Sequence, residues 1–307
     1  MRMKVYNSLS NIPSDAQNAV IAIGNFDGVH LGHQALIAKA KEVAKENNLK
    51  VGVLTFEPHP RALFQPSQPP ARLAPQALKE QRLNAEDIDI LISLPFDWDF
   101  ASQTATDFIQ NILKDDLNAA HIIVGHDFHF GQMRKGTAET IKNSGLPIDI
   151  VAPVKDENAE TISSSRIREY LKTGDIDNAN KLLGWNWEIQ GEIVKGDQRG
   201  RELGYPTANV MLKNTLHPAY GIYACYVQIE GETEWRKAAT NIGIRPMFEV
   251  AEGQVEAHIL DFPFREIYGK TLRIKPIARI RSEAKFNSVD DLIIQMEKDC
   301  AKTIEIL

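Results

Sequence analysis

The sequence predicts a two-part chain: an α/β half with a parallel sheet, then an all-β half closing as a small antiparallel barrel. Three observations carry this. Residues 19–183 alternate short apolar runs with segments of helical period. From about Trp187 the period shortens to two, and the apolar runs lie too close together for crossover helices. A length of 307 residues suits about two domains, each long enough for its own core. The junction is expected near Gly184, giving parts 1–184 and 185–307.

The first apolar run, residues 19–23, reads as a buried strand. After Gly32, apolar residues recur at Leu36, Ile37, Ala40, Val43 and Ala44, the spacing of one helix face. Residues 50–56, 88–93, 120–125 and 147–152 are further strand candidates, and 104–113 and 164–171 are helical. Strands alternating with helices imply a sheet covered on both faces, with ligands beyond the strand C-termini. In the second half, residues 187–194, 222–229, 235–242, 254–260 and 271–280 read as strands. A last helix starts at Ser288, with Asp291 three residues on as in a capping box. Leu292, Ile293, Met296 and Cys300 give it an apolar stripe.

Composition narrows the function. A net charge of −6 argues against coating nucleic acid, yet leaves ATP open, because anions are held by local donors. Cys225 and Cys300 are the only cysteines and read as small buried hydrophobes. With no disulfide framework to form, a reducing, cytoplasmic location is expected. Residues 1–18 lack a long apolar core, and no run approaches the roughly 18 to 20 apolar residues that span a bilayer.

The segment GNFDGVHLGH, residues 24–33, joins the first strand to the first long helix. Its glycines at 24, 28 and 32 permit a tight turn and close approach of a ligand. His30 and His33 stand where the helix begins, beside free N–H groups and a partial positive charge, a place for a triphosphate. A plain glycine turn with two half-exposed histidines is the alternative, and a metal site lacks further obvious ligands nearby. In TISSSRIR, residues 161–168, Ser163 and Ser164 suit a helix N-cap, and Arg166 and Arg168 add charge, although a capped helix with solvated arginines looks the same.

In the second half, RGRELGYPTANV, residues 199–210, offers a phosphate cradle or merely a turn. Gly196, Gly200 and Gly204 give backbone freedom, Arg199 and Arg201 give charge, and Thr207 and Asn209 present hard oxygens suited to Mg²⁺. In QVEAHILDF, strand alternation sets Val255, Ala257 and Ile259 on one face, with Glu256 and His258 on the other. In LTFEPHPR, Glu57, His59 and Arg61 are either chemistry or a loop fixed by Pro58 and Pro60, while Phe56, Phe128 and Phe130 read first as core.

Taken together, these segments resemble the bacterial bifunctional riboflavin kinase/FMN adenylyltransferases, also called FAD synthetases. GNFDGVHLGHQ, LTFEPHPR, LPFDWDFA, VGHDFHFG and ISSSRIR carry the likeness in the first half; RGRELGYPTANV, YGIYA, NIGIRP, VEAHILDF and EAKF carry it in the second. The resemblance implies an N-terminal Rossmann-like nucleotidylyltransferase domain and a C-terminal six-stranded antiparallel β-barrel with a terminal helix. It implies a transferase that phosphorylates riboflavin to FMN and adenylylates FMN to FAD, releasing pyrophosphate. The implied partners are riboflavin, FMN and ATP with Mg²⁺, and neither nucleic acid nor membrane. By the same resemblance His30 and His33 are catalytic at the ATP phosphates. Gly24, Phe26, Asp27, Gly28, Gly32, Asp127, Ser163, Ser164, Arg166 and Arg168 bind that ATP. Gly204 and Asn209 bind the kinase ATP, Thr207 and Asn209 hold its metal, and Glu256 is the kinase base. Phe56, His59, Arg61, Phe128 and Arg245 are implied flavin contacts. The chain departs from the usual pattern at His126, His129, Ser165, Met247 and the stretch Trp185, Asn186, Trp187; a weakened adenylyltransferase is the expectation those histidines and Ser165 leave open.

Overall fold

The computed structural model describes residues 3–10, 12–196, 203–212, 215–247, 250–263 and 265–307. Arg199, Gly200, Arg201 and the side chains of Arg245 and Met247 lie outside the described residues. The chain divides into two compact units: Met1–Pro70 with Ala74–Ser163, and Ala71–Leu73 with Ser164–Leu307.

The first unit is built on a six-stranded, wholly parallel sheet. Its strands are β1 (Lys4–Tyr6), β2 (Val20–Ile23), β3 (Val51–Glu57), β4 (Ile90–Pro95), β5 (His121–Gly125) and, after a small hairpin of β6 (His129–Phe130) with β7 (Gly136–Thr137), β8 (Ile148–Val151). The spatial order is β1-β4-β3-β2-β5-β8. The central strand β2 is buried throughout, because its alternate residues enter opposite cores. Val20 and Ala22 join the cluster of Leu36, Ile37, Ala40, Val43 and Ala44 on α1 (Leu31–Asn47). Ile21 and Ile23 join the cluster of Phe108, Ile112 and Leu113 on the other face.

Short helices α2 (Pro60–Phe64), α3 (Gln76–Ala85), α4 (Trp98–Ala101), α5 (Ala105–Asp107) and α6 (Ala138–Asn143) complete the layers. The helix expected at 104–113 starts with a capping box between Thr104 and Asp107, then widens into π-type turns over Phe108–Asp116. The Leu117 amide reaches back five residues to the Ile112 carbonyl at 3.0 Å.

The second unit opens with α7 (Ser164–Thr173) and α8 (Ile176–Leu183). Gly184, where the sequence reading placed the junction, is the left-handed C-cap of α8, and both helices group with the barrel. The barrel strands are β9 (Ile189–Val194), β10 (Ala208–Met211), β11 (Gly221–Ile229), β12 (Arg236–Met247), β13 (Val250–Ile259) and β14 (Thr271–Arg281). They close in the order β10-β13-β12-β11-β14-β9, each pair antiparallel. Five of the six follow the period-two pattern; β10 falls in the segment first read as a turn. Trp187 anchors one end of the unit, fully buried with its indole N–H donated to the Leu73 carbonyl at 2.9 Å.

The terminal helix α9 (Val289–Ile306) is capped by Ser288, whose hydroxyl accepts from the Asp291 amide at 3.1 Å. Its expected apolar stripe is only half-buried, and the residues it buries are Asp299 and Thr303. The reason is Arg281 at the end of β14, whose guanidinium forks onto the Asp299 carboxylate at 2.9 and 2.6 Å. Arg281→Leu leaves that carboxylate buried without its cation. A loss of roughly 2–3 kcal/mol is expected, read as a lowered denaturation midpoint.

Candidate functional sites

In the first unit, β2 delivers the chain to α1 through a seven-residue loop, residues 24–30. Phe26 and Val29 take positive φ of 50° and 39°, and Gly28 sits at 86°. That contorted path lets Phe26 turn inward. It is fully buried and lies 5.1 Å from the His33 ring, so it supports the site from below and does not face the cleft. Asp27 is also buried, and its carboxylate accepts the Ala74 amide at 3.1 Å, fixing the loop to the start of α3.

His30 is the N-cap of α1. Its Nδ1 accepts from the amides of Gly32 at 3.1 Å and His33 at 3.4 Å, so the neutral ring carries its proton on Nε2. His30 and His33 stack at 3.7 Å. A Cβ on Gly32 would lie 3.0 Å from the His30 ring, so this glycine makes room for the imidazole. The result is a pair of imidazoles over the positive end of a 17-residue helix.

Burial holds the His33 imidazole well below its ordinary pKa of 6.5, reinforced by His30 and the Lys79 ammonium. Its Nδ1 is shielded from water with no hydrogen-bond partner. His33 is therefore neutral at pH 7 in the free protein. In an NMR titration its midpoint is expected well below 6.5. Below that value the unfolded chain takes up a proton the folded one refuses, so this contribution to stability is complete above 6.5 and lost on acidification.

Asp127 follows β5 at the C-terminal side of the sheet, highly exposed, with His126 and His129 beside it. His129 Nδ1 meets the Asp127 carbonyl at 2.8 Å. His59 caps α2 by accepting from the Arg61 amide at 3.1 Å, and the Arg61 guanidinium holds Gln65 at 2.9 Å. Phe128 stacks on Phe130 at 5.3 Å, and Phe56 meets Phe100 at 5.3 Å and Phe96 at 5.8 Å; Phe56 and Phe128 are partly buried against the core.

Sequence reasoning assigned no role to the outer part of this wall. Phe64 and Trp98 are 56% and 64% exposed and meet edge-on at 5.7 Å. An exposed aromatic face beside the strand C-termini can accept a flat ring. Sequence reasoning also missed Lys79, wholly buried on α3 with Nζ 3.3 Å from Glu57.

Ser163 ends the first unit, and Ser164, Arg166 and Arg168 begin the second. There Arg166 lies on Tyr170, and Arg168 donates to the Ala71 carbonyl at 2.8 Å.

In the barrel, Glu256 is the middle member of a polar row. It pairs across strands with Asn209 on one side and Asn241 on the other, so all three side chains share a face. Gln254 donates to Asn209 and, at 3.3 Å, to Glu256. Asn241 keeps a shielded Oδ1 with no hydrogen-bond partner; its signal in the sequence is only its place opposite Glu256. A Cβ on Gly196 would stand 2.6 Å from the Asn209 amide, so that glycine makes room for it.

Two cavities adjoin this row. The larger, about 680 Å³, is lined by Lys195, Gly196, Gly204 and Phe262 among others. The smaller, about 450 Å³, contains Asn241, Glu256 and Glu283. Tyr205, Thr207, Asn209, His258 and Cys300 line both. Cys225 is buried as expected, whereas Cys300 is half-buried on this shared wall. The volumes suit a nucleotide beside a second ring-bearing molecule. Among the described residues no group of three or more His, Cys, Asp or Glu could hold a metal ion. No helix among them is long and apolar enough to cross a membrane.

Comparison with known proteins divides along similar lines. A family model described as FAD synthetase matches residues 12–166, and one described as riboflavin kinase matches residues 183–307. A bifunctional riboflavin kinase/FMN adenylyltransferase of Bacillus subtilis is 37% identical, covering 95% of this chain and 94% of its own. One from Haemophilus influenzae is 36% identical over 97% of both. A crystal structure described as a macrolide-efflux protein from Streptococcus pneumoniae shares 35% identity over 99% of both chains, with a TM-score of 0.89.

Proposed function

The chain belongs to the bifunctional riboflavin kinase/FMN adenylyltransferase family, and from that premise we propose how its sites divide the work. It phosphorylates riboflavin to FMN and adenylylates FMN to FAD. We assign the first reaction to the barrel and the second to the parallel-sheet half, with the activities divided near residue 184. The observation that carries this assignment is the Asn209–Glu256–Asn241 row lining the smaller of two adjoining cavities, with Asn209 on the wall of both.

In the kinase step ATP occupies the larger cavity and riboflavin the smaller. Glu256 accepts the proton of the riboflavin 5′-hydroxyl as that oxygen bonds to the γ-phosphorus, the bond from the γ-phosphorus to the bridging oxygen breaks, and ADP leaves. Gln254 and the flanking asparagines hold the carboxylate in line. Thr207 and Asn209 would hold Mg²⁺ through their side-chain oxygens. Two neutral oxygens, with no group of three or more acidic or other metal-ligating residues among the described residues, suit an ion that arrives with the nucleotide. When bound, Mg²⁺ offsets charge on the transferring phosphoryl group.

In the adenylyl step the FMN phosphate is already ionised, so no strong base is needed. Its oxygen bonds to the α-phosphorus of ATP as the bond to the bridging oxygen breaks and pyrophosphate leaves. Positioning and charge stabilisation do the rest. His30, through Nε2–H, and His33 hold the phosphates over the α1 N-terminus, with Asp127 and Ser163 as further ATP contacts. Phe56, Phe64, Trp98 and Phe128 form the flavin wall, with His59 and Arg61 at its rim. The reading places the enzyme in the cytoplasm, acting on riboflavin, FMN and ATP without nucleic acid or membrane.

The test is to incubate purified protein with riboflavin, ATP and Mg²⁺ and separate the flavins by chromatography. FMN followed by FAD is expected. FMN alone points to His126 and His129 as the place where adenylylation was lost, and neither product overturns the reading.

A further inference from the structure

We propose that Lys79 is a positioning residue for adenylyl transfer, joining the nucleotide loop to the Glu57–His59 segment through a buried relay; this rests on the adenylyltransferase reading of the first unit. Lys79 stands on α3 with no exposed surface. Its Nζ donates to the Glu57 carboxylate at 3.3 Å and reaches the Thr55 hydroxyl at 3.5 Å. That hydroxyl donates in turn to the Asn25 carbonyl at 3.1 Å. Asn25 lies in the loop that feeds His30 and His33, and Glu57 heads the segment that holds His59 and Arg61. A second tie runs the same way: the Ala74 amide, just ahead of α3, donates to Asp27 at 3.1 Å. One helix is thus keyed to the nucleotide loop at two points and to the flavin-side loop at a third.

A buried lysine is a poor device for stability alone. Desolvating the ammonium is costly, and an apolar side chain of similar volume often serves as well. What lysine supplies is a charge with three donors that fixes oxygens in space. Thr55 and Glu57 are two residues apart on β3, at the end of the strand beside the cleft. The ammonium also adds to the field that keeps His33 neutral. In-line attack on the α-phosphorus requires ATP and FMN at a fixed separation, and a displacement of about 1 Å costs about 100-fold in rate. The two arms of the relay hold the two sides of that gap.

The test uses the full chain, with FMN and ATP supplied and FAD formation read; riboflavin phosphorylation by the same chain is the internal control. Lys79→Met is expected to lower kcat/KM for FAD formation by about 100-fold and to raise KM for both substrates, with FMN formation unchanged. Glu57→Gln is expected to raise chiefly the KM for FMN, and Thr55→Val chiefly the KM for ATP. The double variant Lys79→Met, Glu57→Gln is expected to bind FMN no worse than Lys79→Met alone, because both changes break one arm. Wild-type KM values in Lys79→Met overturn the proposal, as do fully multiplicative effects in the double variant. Should Lys79→Met fail to fold, the near-isosteric Thr55→Val decides, and an unchanged KM for ATP overturns the relay. A wild-type chain that forms FMN and no FAD overturns the adenylyltransferase reading itself, and the relay falls with it.

Discussion

Glu256→Gln is expected to stop conversion of riboflavin to FMN while conversion of FMN to FAD continues at its normal rate. Glutamine keeps the volume and the hydrogen bonding of the polar row but cannot take a proton. Losing a positioned general base costs about 10²- to 10⁴-fold. The barrel pairs Glu256 directly with Asn209 and Asn241, so the substituted amide stays in register and the fold is undisturbed. Chromatography of products, started separately from riboflavin and from FMN, measures the two reactions apart. Equal loss of both would show that the carboxylate does not serve the kinase step alone.

His33→Ala is expected to give the reverse pattern. FAD formation should fall about 10²- to 10³-fold, the range for deleting one donor that stabilises developing charge, while riboflavin is phosphorylated as before. The alanine also removes the ring stacked 3.7 Å from His30 and 5.1 Å from Phe26, so His30 loses part of its support. Normal FAD formation by this variant would remove His33 from the adenylyl site.

What the sequence made legible was what neighbours in the chain decide. The β2 run, the α1 stripe and the glycine–histidine loop between them are local, and each is where its pattern put it. The period-two strands of the barrel were equally readable. β10 was not, because Pro206 and Asn209 read as a turn, and its strand character comes from pairing with residues 254–257, far along the chain. The stripe on α9 misled for a related reason: Asp299 is buried because Arg281 comes from another strand to meet it. Lys79 was invisible. A lysine on a helix is ordinarily solvated, and only the end of β3, brought alongside by the fold, makes this one buried and paired. Phe64 and Trp98 had no period to betray them, since they meet from two short helices flanking different strands.

The two architectures also face self-association differently. A sheet that ends exposes unpaired N–H and C=O groups, to which another copy of the chain can add a strand. The closed ring of the barrel has no such rim. The parallel sheet has two, at β1 and β8, and both are brief, three and four residues. β8 also carries Asp149, an outlying carboxylate within 3.2 Å of His121 and 3.9 Å of Lys39. One half resists edge-to-edge aggregation by closure, the other by short rims and a charge placed on one of them.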